Sequence, residues 1–446
     1  MNFLNKVSAA AIVSMTVIQT PAWAQDAIDA GERDAAVAAL AQVIEDEFFD
    51  AERAAIIASG MRAAEDGGAF DEATTAQDLA EALTAHLHAQ DRHFSVRYIG
   101  PEAAAAQLAR EASEDSGGRD AANAAQVAQM ARRNFAFDSV EILPGNIGYI
   151  ELRGFAPIDP AEATARAALE FVAHADAVIF DLRRNNGGDP TMVQYLTSHF
   201  LEPGGETLIN TFVSRDYEYP NQMWSLPSHP AGNRPDVPVY VLTSGNTGSA
   251  AEAFSYHLQA MQRATLVGET TYGAGNPGGV QIVPEGYGVF VSTGSARNPI
   301  TGTNWEGTGV TPDIDVPADE ALDRALMEAY GELEQSATDE DRRRELDWMR
   351  EALEVAHNPV VLSEAELALY AGDYGPRDIW VEAGGLVYQR EGRDPMRLTA
   401  LGDHRFKFAD DDEYRLVFQM DRRGEATALE LQVVDGQVVP NPRVRD

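Results

Sequence analysis

Between residues 138 and 316 the chain alternates short β-type runs with amphipathic helical runs, which restricts this stretch to a layered α/β architecture. Residues 140–143, a Pro144-Gly145-Asn146 turn and residues 147–152 predict a β-hairpin. Helix is predicted over 160–174, 190–201 and 249–262, and buried strand over 177–182, 237–243 and 264–269. Residues 280–283 and 289–293 predict a second hairpin around Glu285-Gly286. The flanks differ. Residues 28–132 are alanine-rich, with apolar positions at helical spacing in 36–48, 51–64 and 76–88. Within them, residues 91–99 alternate Phe94, Val96 and Tyr98, which predicts a short strand or extended arm. An acidic helical connector is expected over 318–358, and short strands with turns at Ala383-Gly384-Gly385 and Gly402-Asp403 follow. The expected organisation is a leader (1–24), a helical N-terminal domain (25–135), an α/β core (136–317), the connector (318–358) and a small all-β domain (359–446).

Composition removes several chemistries. The 446-residue chain has no cysteine, so disulfide scaffolds, thiolate metal sites and cysteine nucleophiles are excluded. With 34 basic against 71 acidic residues the net charge is −37, and no basic footprint for nucleic acid is present. Lys6 and Lys407 are the only lysines, so P-loop, Schiff-base and lysine-base chemistry lacks its residue almost everywhere. No HExxH motif occurs, and neither a metal nor a cofactor is expected. Lys6, the apolar run 7–18 and Ala22-Trp23-Ala24 form the three-part pattern of a secretory signal peptide cleaved after Ala24. A periplasmic or secreted protein without a membrane span is expected, with Lys407 its only lysine.

Two segments carry candidate chemistry. In 239–254 a buried strand runs through Thr243-Ser-Gly-Asn-Thr-Gly into a helix opening at Ser249. A serine there presents its hydroxyl beside helix N-terminal N–H groups, a setting that suits an oxyanion. Ser249-x-x-Glu252 is equally a capping box. In 178–190 a buried strand ends in Asp181-Leu-Arg-Arg-Asn-Asn-Gly187-Gly188, with Asp189 and Pro190 opening the next helix. The glycines permit close approach of a substrate carbonyl to backbone donors, or simply a tight turn.

Asp181-Leu-Arg-x-Asn-x-Gly-Gly, Ser249-Ala-Ala-Glu, Val267-Gly-Glu-Thr-Thr-x-Gly and Trp305-Glu-Gly-Thr-Gly-Val-Thr-Pro-Asp313 occur in that order. Together they resemble the S41 family of serine peptidases, the tail-specific and tricorn-like group, over residues 138–316. The helical N-terminal region is similar to that of the interphotoreceptor-retinoid-binding-protein-like branch. The resemblance implies a crotonase-like α/β core and Ser249 as nucleophile. It implies oxyanion donors from Ala250 and from Gly187 or Gly188. The lysine of the C-terminal-processing branch is replaced by Ala274, so a Ser–Lys dyad is excluded. The tricorn-like order His…Ser…Glu remains. His257 lies eight residues beyond Ser249 on the same helix, about 12 Å along its axis, too far to be the base. His93, in Asp91-Arg-His-Phe-Ser-Val, is the base the resemblance selects, and Glu306 its orienting carboxylate.

Other motifs are set aside. Gly273-Ala-Gly-Asn-Pro-Gly278 matches GxGxxG but leads into a strand pattern. No GxSxG surrounds Ser249, residues 410–413 lack calcium-loop spacing, and Ser295 reads as a turn. The expected activity is metal-independent peptide hydrolysis through an acyl-enzyme, on a peptide or unfolded chain. A weakly active peptide- or lipid-binding protein and a small-acyl esterase on the same residues are the alternatives. Oligomeric state is not readable.

Overall fold

The computed structural model describes residues 27–112, 116–216 and 218–444. The signal-peptide reading and its cleavage point after Ala24 lie outside the described residues. The chain divides into two compact units. One comprises residues up to 115 together with 213–218 and 276–295; the other comprises 116–212, 219–275 and 296 onward.

The first unit is built on helices Ala30–Glu47, Ala51–Asp66 and Ala76–Leu87. Asp29 with Glu32, and Thr75 with Asp78, form reciprocal capping boxes that satisfy exposed N-terminal N–H groups. The arm predicted at 91–99 is strand Ser95–Tyr98. It pairs antiparallel with Tyr287–Ser292, which closes a hairpin on Gly278–Val283. Leu40, Ile44, Phe48, Met61, Leu83, Phe94, Val289 and Val291 share one buried core. Each such large side chain contributes about 1.5–3 kcal/mol on burial. The hairpin predicted at 280–293 therefore completes the helical unit's core, although its sequence sits inside the α/β stretch.

The second unit centres on a six-stranded sheet. Its spatial order is Ile314–Asp315, Thr265–Gly268, Val239–Thr243, Ala177–Asp181, Ile147–Leu152 and Phe137–Leu143. All pairs are parallel except the last, which is the hairpin expected at 140–152. Side chains alternate between two covered faces, as the pleat requires. Val178, Phe180, Val239 and Val241 face the core under helices Ile158–Phe171, Pro190–His199 and Ala250–Ala260. Ala177, Ile179, Tyr240 and Leu242 pack on Ala325, Leu326, Ala329, Tyr330 and Leu346. The acidic segment expected as a connector is thus two helices, Ala321–Ser336 and Glu340–His357, that close the sheet's second face.

The C-terminal region is an eight-stranded antiparallel sheet whose strands follow chain order. Val444 N–H donates to Asp373 O (2.8 Å), which curls the last strand round to the first. Its core gathers Tyr374, Ile379, Leu386, Phe406, Phe418 and Leu429. Arg415, 2 % exposed, lies over the Trp348 ring and donates to Trp348 O (2.7 Å), joining this sheet to the second helix of the pair. Ser295, expected in a turn, lies in the short strand Ser295–Arg297 instead. No helix among the described residues is long and apolar enough to cross a membrane.

Candidate active site

Two adjacent parallel strands of the second unit end in polar turns that are bonded to each other. After Val239–Thr243, Thr247 Oγ1 donates to Leu182 O (2.9 Å) and Gly248 N–H to Asn185 O (3.0 Å). After Ala177–Asp181, Asn185 Nδ2 donates to Leu152 O (2.7 Å). Asp181 anchors that strand end, accepting from Tyr149 Oη (2.7 Å) and Arg183 Nε (2.9 Å). Burial works to raise the Asp181 carboxyl, but these hydrogen bonds and the Arg183 charge outweigh it and hold it below its ordinary value.

Ser249 opens helix Ala250–Ala260 with φ 52° and ψ −116°. A left-handed φ on a residue with a side chain is strained, and the surrounding bonds hold it there. The glycine turn lies against it. A Cβ at Gly187 (φ +112°) would sit 2.7 Å from Ser249 Cβ and 2.9 Å from Ala250 N, so only glycine fits. Gly188 bridges Phe155 in parallel fashion: Phe155 N–H donates to Gly187 O (2.9 Å) and Asp189 N–H to Phe155 O (2.7 Å). In that pattern Gly188's own N–H points away from Phe155. Gly187 N–H is engaged by Asn185 Oδ1 (2.8 Å). Among the described residues, no acceptor takes the N–H of Gly188 or of Ala250. Of the two glycines, Gly187 thus has its N–H engaged by Asn185, and Gly188 does not share that bond. Replacing Ser249 with glycine should relieve the strained φ and raise the melting temperature by a few degrees, reflecting about 1 kcal/mol. An unchanged or lower melting temperature would show that the backbone stores no strain there.

Glu252 is fully buried and ties the serine turn to the following loop. Its carboxylate accepts from Ser249 N–H (2.8 Å), Thr271 Oγ1 (2.5 Å), Gly273 N–H (2.6 Å) and Ala274 N–H (2.9 Å). Desolvation raises its pKa, and the four donors oppose that rise. Its Oε2 bond to Ser249 N–H is one arm of the capping box expected from the sequence; the bonds to residues 271–274 were not legible there. Glu306 holds the next residue of the same loop, accepting from Gly275 N–H (2.6 Å), and its own N–H donates to Asn304 Oδ1 (3.0 Å). Trp305 Nε1 donates to Ala274 O (3.0 Å). Residues 273–275 are thereby held by two carboxylates and an indole. The loop leads into strand Gly278–Val283, not a helix, as the sequence pattern there predicts.

The structure thus places Ser249, Ala250, Gly187, Gly188 and Glu306 in one unit. His93 belongs to the other. There its half-buried ring stacks on Phe290, with centroids 5.2 Å apart. Burial lowers the imidazole's pKa, and the neighbouring Asp91 works against that lowering. His257 is buried against Trp305 and hydrogen-bonded through Nδ1 to Asn298 Nδ2 (2.9 Å).

A strained serine at a helix N-terminus beside a glycine turn is the arrangement found in hydrolases that acylate a hydroxyl. Residues 146–316 match the model of Peptidase family S41, over the stretch in which the four ordered motifs lie. The carboxyl-terminal-processing protease of Picosynechococcus sp. is 28% identical over 207 residues, 46% of this chain and 47% of its own length. The carboxy-terminal-processing protease of Bartonella bacilliformis is 26% identical over 192 residues, 42% and 41% respectively. Chloroplastic carboxyl-terminal-processing peptidase 1 of Arabidopsis thaliana is 30% identical over 183 residues, 40% and 36%. The chain spans less than half the length of these relatives. Among solved structures, the photosystem II D1 C-terminal processing protease aligns at TM-score 0.40 and 14% identity, covering 64% of this chain and 94% of that one. The tricorn protease aligns at TM-score 0.40 and 13% identity, covering 73% and 37%.

Proposed function

We propose that the protein is an exported serine peptidase that hydrolyses peptide bonds through an acyl-enzyme at Ser249. The observation that carries this reading is Ser249 at φ 52° on the first turn of a buried helix, with Ala250 N beside the Gly187 turn. His93 takes the Ser249 proton as Oγ attacks the substrate carbonyl. The negative charge that develops on the carbonyl oxygen is held by the N–H groups of Ala250 and Gly188. The imidazolium then protonates the leaving amine, and the C–N bond breaks. Water, deprotonated by His93, attacks the ester and frees Ser249. Glu306 holds the imidazole in the productive tautomer and stabilises its charged form. No step draws on a metal. The substrate is a peptide or an unfolded chain, the core is of crotonase type, and the signal sequence directs the protein to the periplasm or beyond.

The test is turnover of an unfolded protein such as casein beside an activated ester, with wild type, Ser249→Ala and His93→Ala. Casein cleavage by wild type, reduced about 10³-fold or more in either variant, is the expected result. Ester turnover without casein cleavage would make the protein an esterase. Tight peptide binding without turnover of either would make it a binding protein.

A further inference from the structure

We propose that Asp91 is a positioning residue for the His93 base, holding the imidazole-bearing segment in place and setting its basicity from within the helical unit. This rests on the reading of His93 as the base. Asp91 is 2 % exposed, a degree of burial that carboxylates adopt only when paired. Its two oxygens are used differently. Oδ1 accepts the backbone N–H of His93 (2.8 Å), which fixes the turn that carries the ring. Oδ2 accepts from Asn276 Nδ2 (2.9 Å). Asn276, also 2 % exposed, is itself held by Ser292, whose Oγ donates to the Asn276 carbonyl (3.3 Å). The His93 ring stacks on Phe290, in the strand that pairs with Ser95.

The carboxylate is thus a rigid negative charge within two residues of the imidazole, clamped by an asparagine two positions beyond Ala274. A plain Asx turn needs only Oδ1, and asparagine would serve it as well. Burying a full charge there needs a further reason, and interaction with the His93 imidazolium supplies one: it favours the protonated form that appears after Ser249 gives up its proton. Other charges at this corner are Arg92, next in the chain, and Arg53, whose guanidinium donates to Gln90 O (2.6 Å). In the proposed mechanism Glu306 also acts on this imidazole.

Asp91→Asn removes the charge while its amide oxygen still accepts the His93 N–H; its NH2 group then faces Asn276, and Asn276→Ala reads the loss of that second bond separately. The measurement is the rate of Ser249 phosphonylation by a fluorophosphonate across about pH 5–9. Wild type, Asp91→Asn, Asn276→Ala, Glu306→Gln and His93→Ala are compared in the whole protein, with folding checked by circular dichroism. Asp91→Asn is expected to lower the plateau rate about 100-fold and to move the acid limb down by about one pH unit, since the imidazole loses its anionic neighbour. Asn276→Ala, which keeps the charge but loosens it, is expected to lower the plateau rate about 10-fold. A folded Asp91→Asn with the wild-type profile, or with a lower rate and an unmoved acid limb, would overturn the proposal. So would Asn276→Ala at the wild-type rate, should Asp91→Asn fail to fold. If His93→Ala itself labels at the wild-type rate, the base assignment fails first, and that outcome is separate from the others.

Discussion

Replacing Glu252 by alanine is expected to lower stability by more than about 3 kcal/mol and to reduce activity about 10³-fold or more. The cause lies in its hydrogen bonds. The carboxylate is 0% exposed and satisfies the N–H of Ser249, the hydroxyl of Thr271 and the N–H groups of Gly273 and Ala274. Removing it leaves these donors facing an apolar void, and each orphaned group costs about 1–3 kcal/mol unless water enters. Glutamine is not a remedy. It offers one acceptor oxygen and turns two N–H donors toward groups that are themselves donors. The effect should reach activity because the same carboxylate fixes Ser249 and the loop whose next residue, Gly275, is bound by Glu306. Chemical unfolding and casein turnover of Glu252→Ala and Glu252→Gln check this. Wild-type stability in either variant would mean that the buried carboxylate is replaceable and that the loop is held by other bonds.

The protein should lose stability steeply on acidification, because three buried histidines are bonded in their neutral forms. His229 Nδ1 accepts the Ala231 N–H (3.1 Å) and His257 pairs through Nδ1 with Asn298 Nδ2 (2.9 Å), and protonation of either nitrogen removes its lone pair. His199 Nδ1 meets Gly232 O (2.7 Å), and its ring lies 4.9 Å from that of His229, so charging both sets like charges together. Burial lowers the pKa of His199 and His229 to about 4 and that of His257 to about 3, from an ordinary 6.5. The unfolded chain therefore binds more protons than the folded one between about pH 6.5 and those values. Stability is flat above neutrality and falls as pH drops through this window, by about 1.4 kcal/mol per histidine for each pH unit crossed. Glu252, raised by burial, acts in the opposite sense and offsets a part. Melting temperature is expected to fall by about 10 °C or more between about pH 7.5 and pH 4.5. The drop should shrink in a His199→Gln, His229→Gln variant. A melting temperature constant over that range would refute the neutral burial of these rings.

The serine and glycine turns were legible because each follows a buried apolar strand and breaks into glycine and asparagine, a local pattern that chain geometry enforces. Gly187 and Gly188 cannot carry a Cβ against Ser249 and Phe155, so their identity is visible in the sequence itself. The strand at Ser95–Tyr98 was legible from the alternation of Phe94, Val96 and Tyr98. Its partner was not, because Ser95 pairs with Phe290, and nothing local in either segment announces a contact across so much chain. The pair of helices at 321–357 hid behind its charge. Its acidic faces suggest a connector, while Ala325, Leu326, Ala329 and Tyr330 form the narrow stripe that covers the sheet. Glu252 reads as a cap because a glutamate three residues into a helix is ordinarily at the surface. Its burial comes from the loop that folds over it. Asp91 was visible only as a neighbour of His93, since its clamp, Asn276, comes from another part of the chain.

In the proposed mechanism Ser249 is an activated nucleophile. Fluorophosphonate labelling of the purified protein with peptide mass mapping tests it most directly, run beside Ser249→Ala and His93→Ala. The expected result is one label per chain, on Ser249, absent in Ser249→Ala and slowed about 10³-fold or more in His93→Ala. A folded wild type that takes no label, or takes it on another serine, would contradict it.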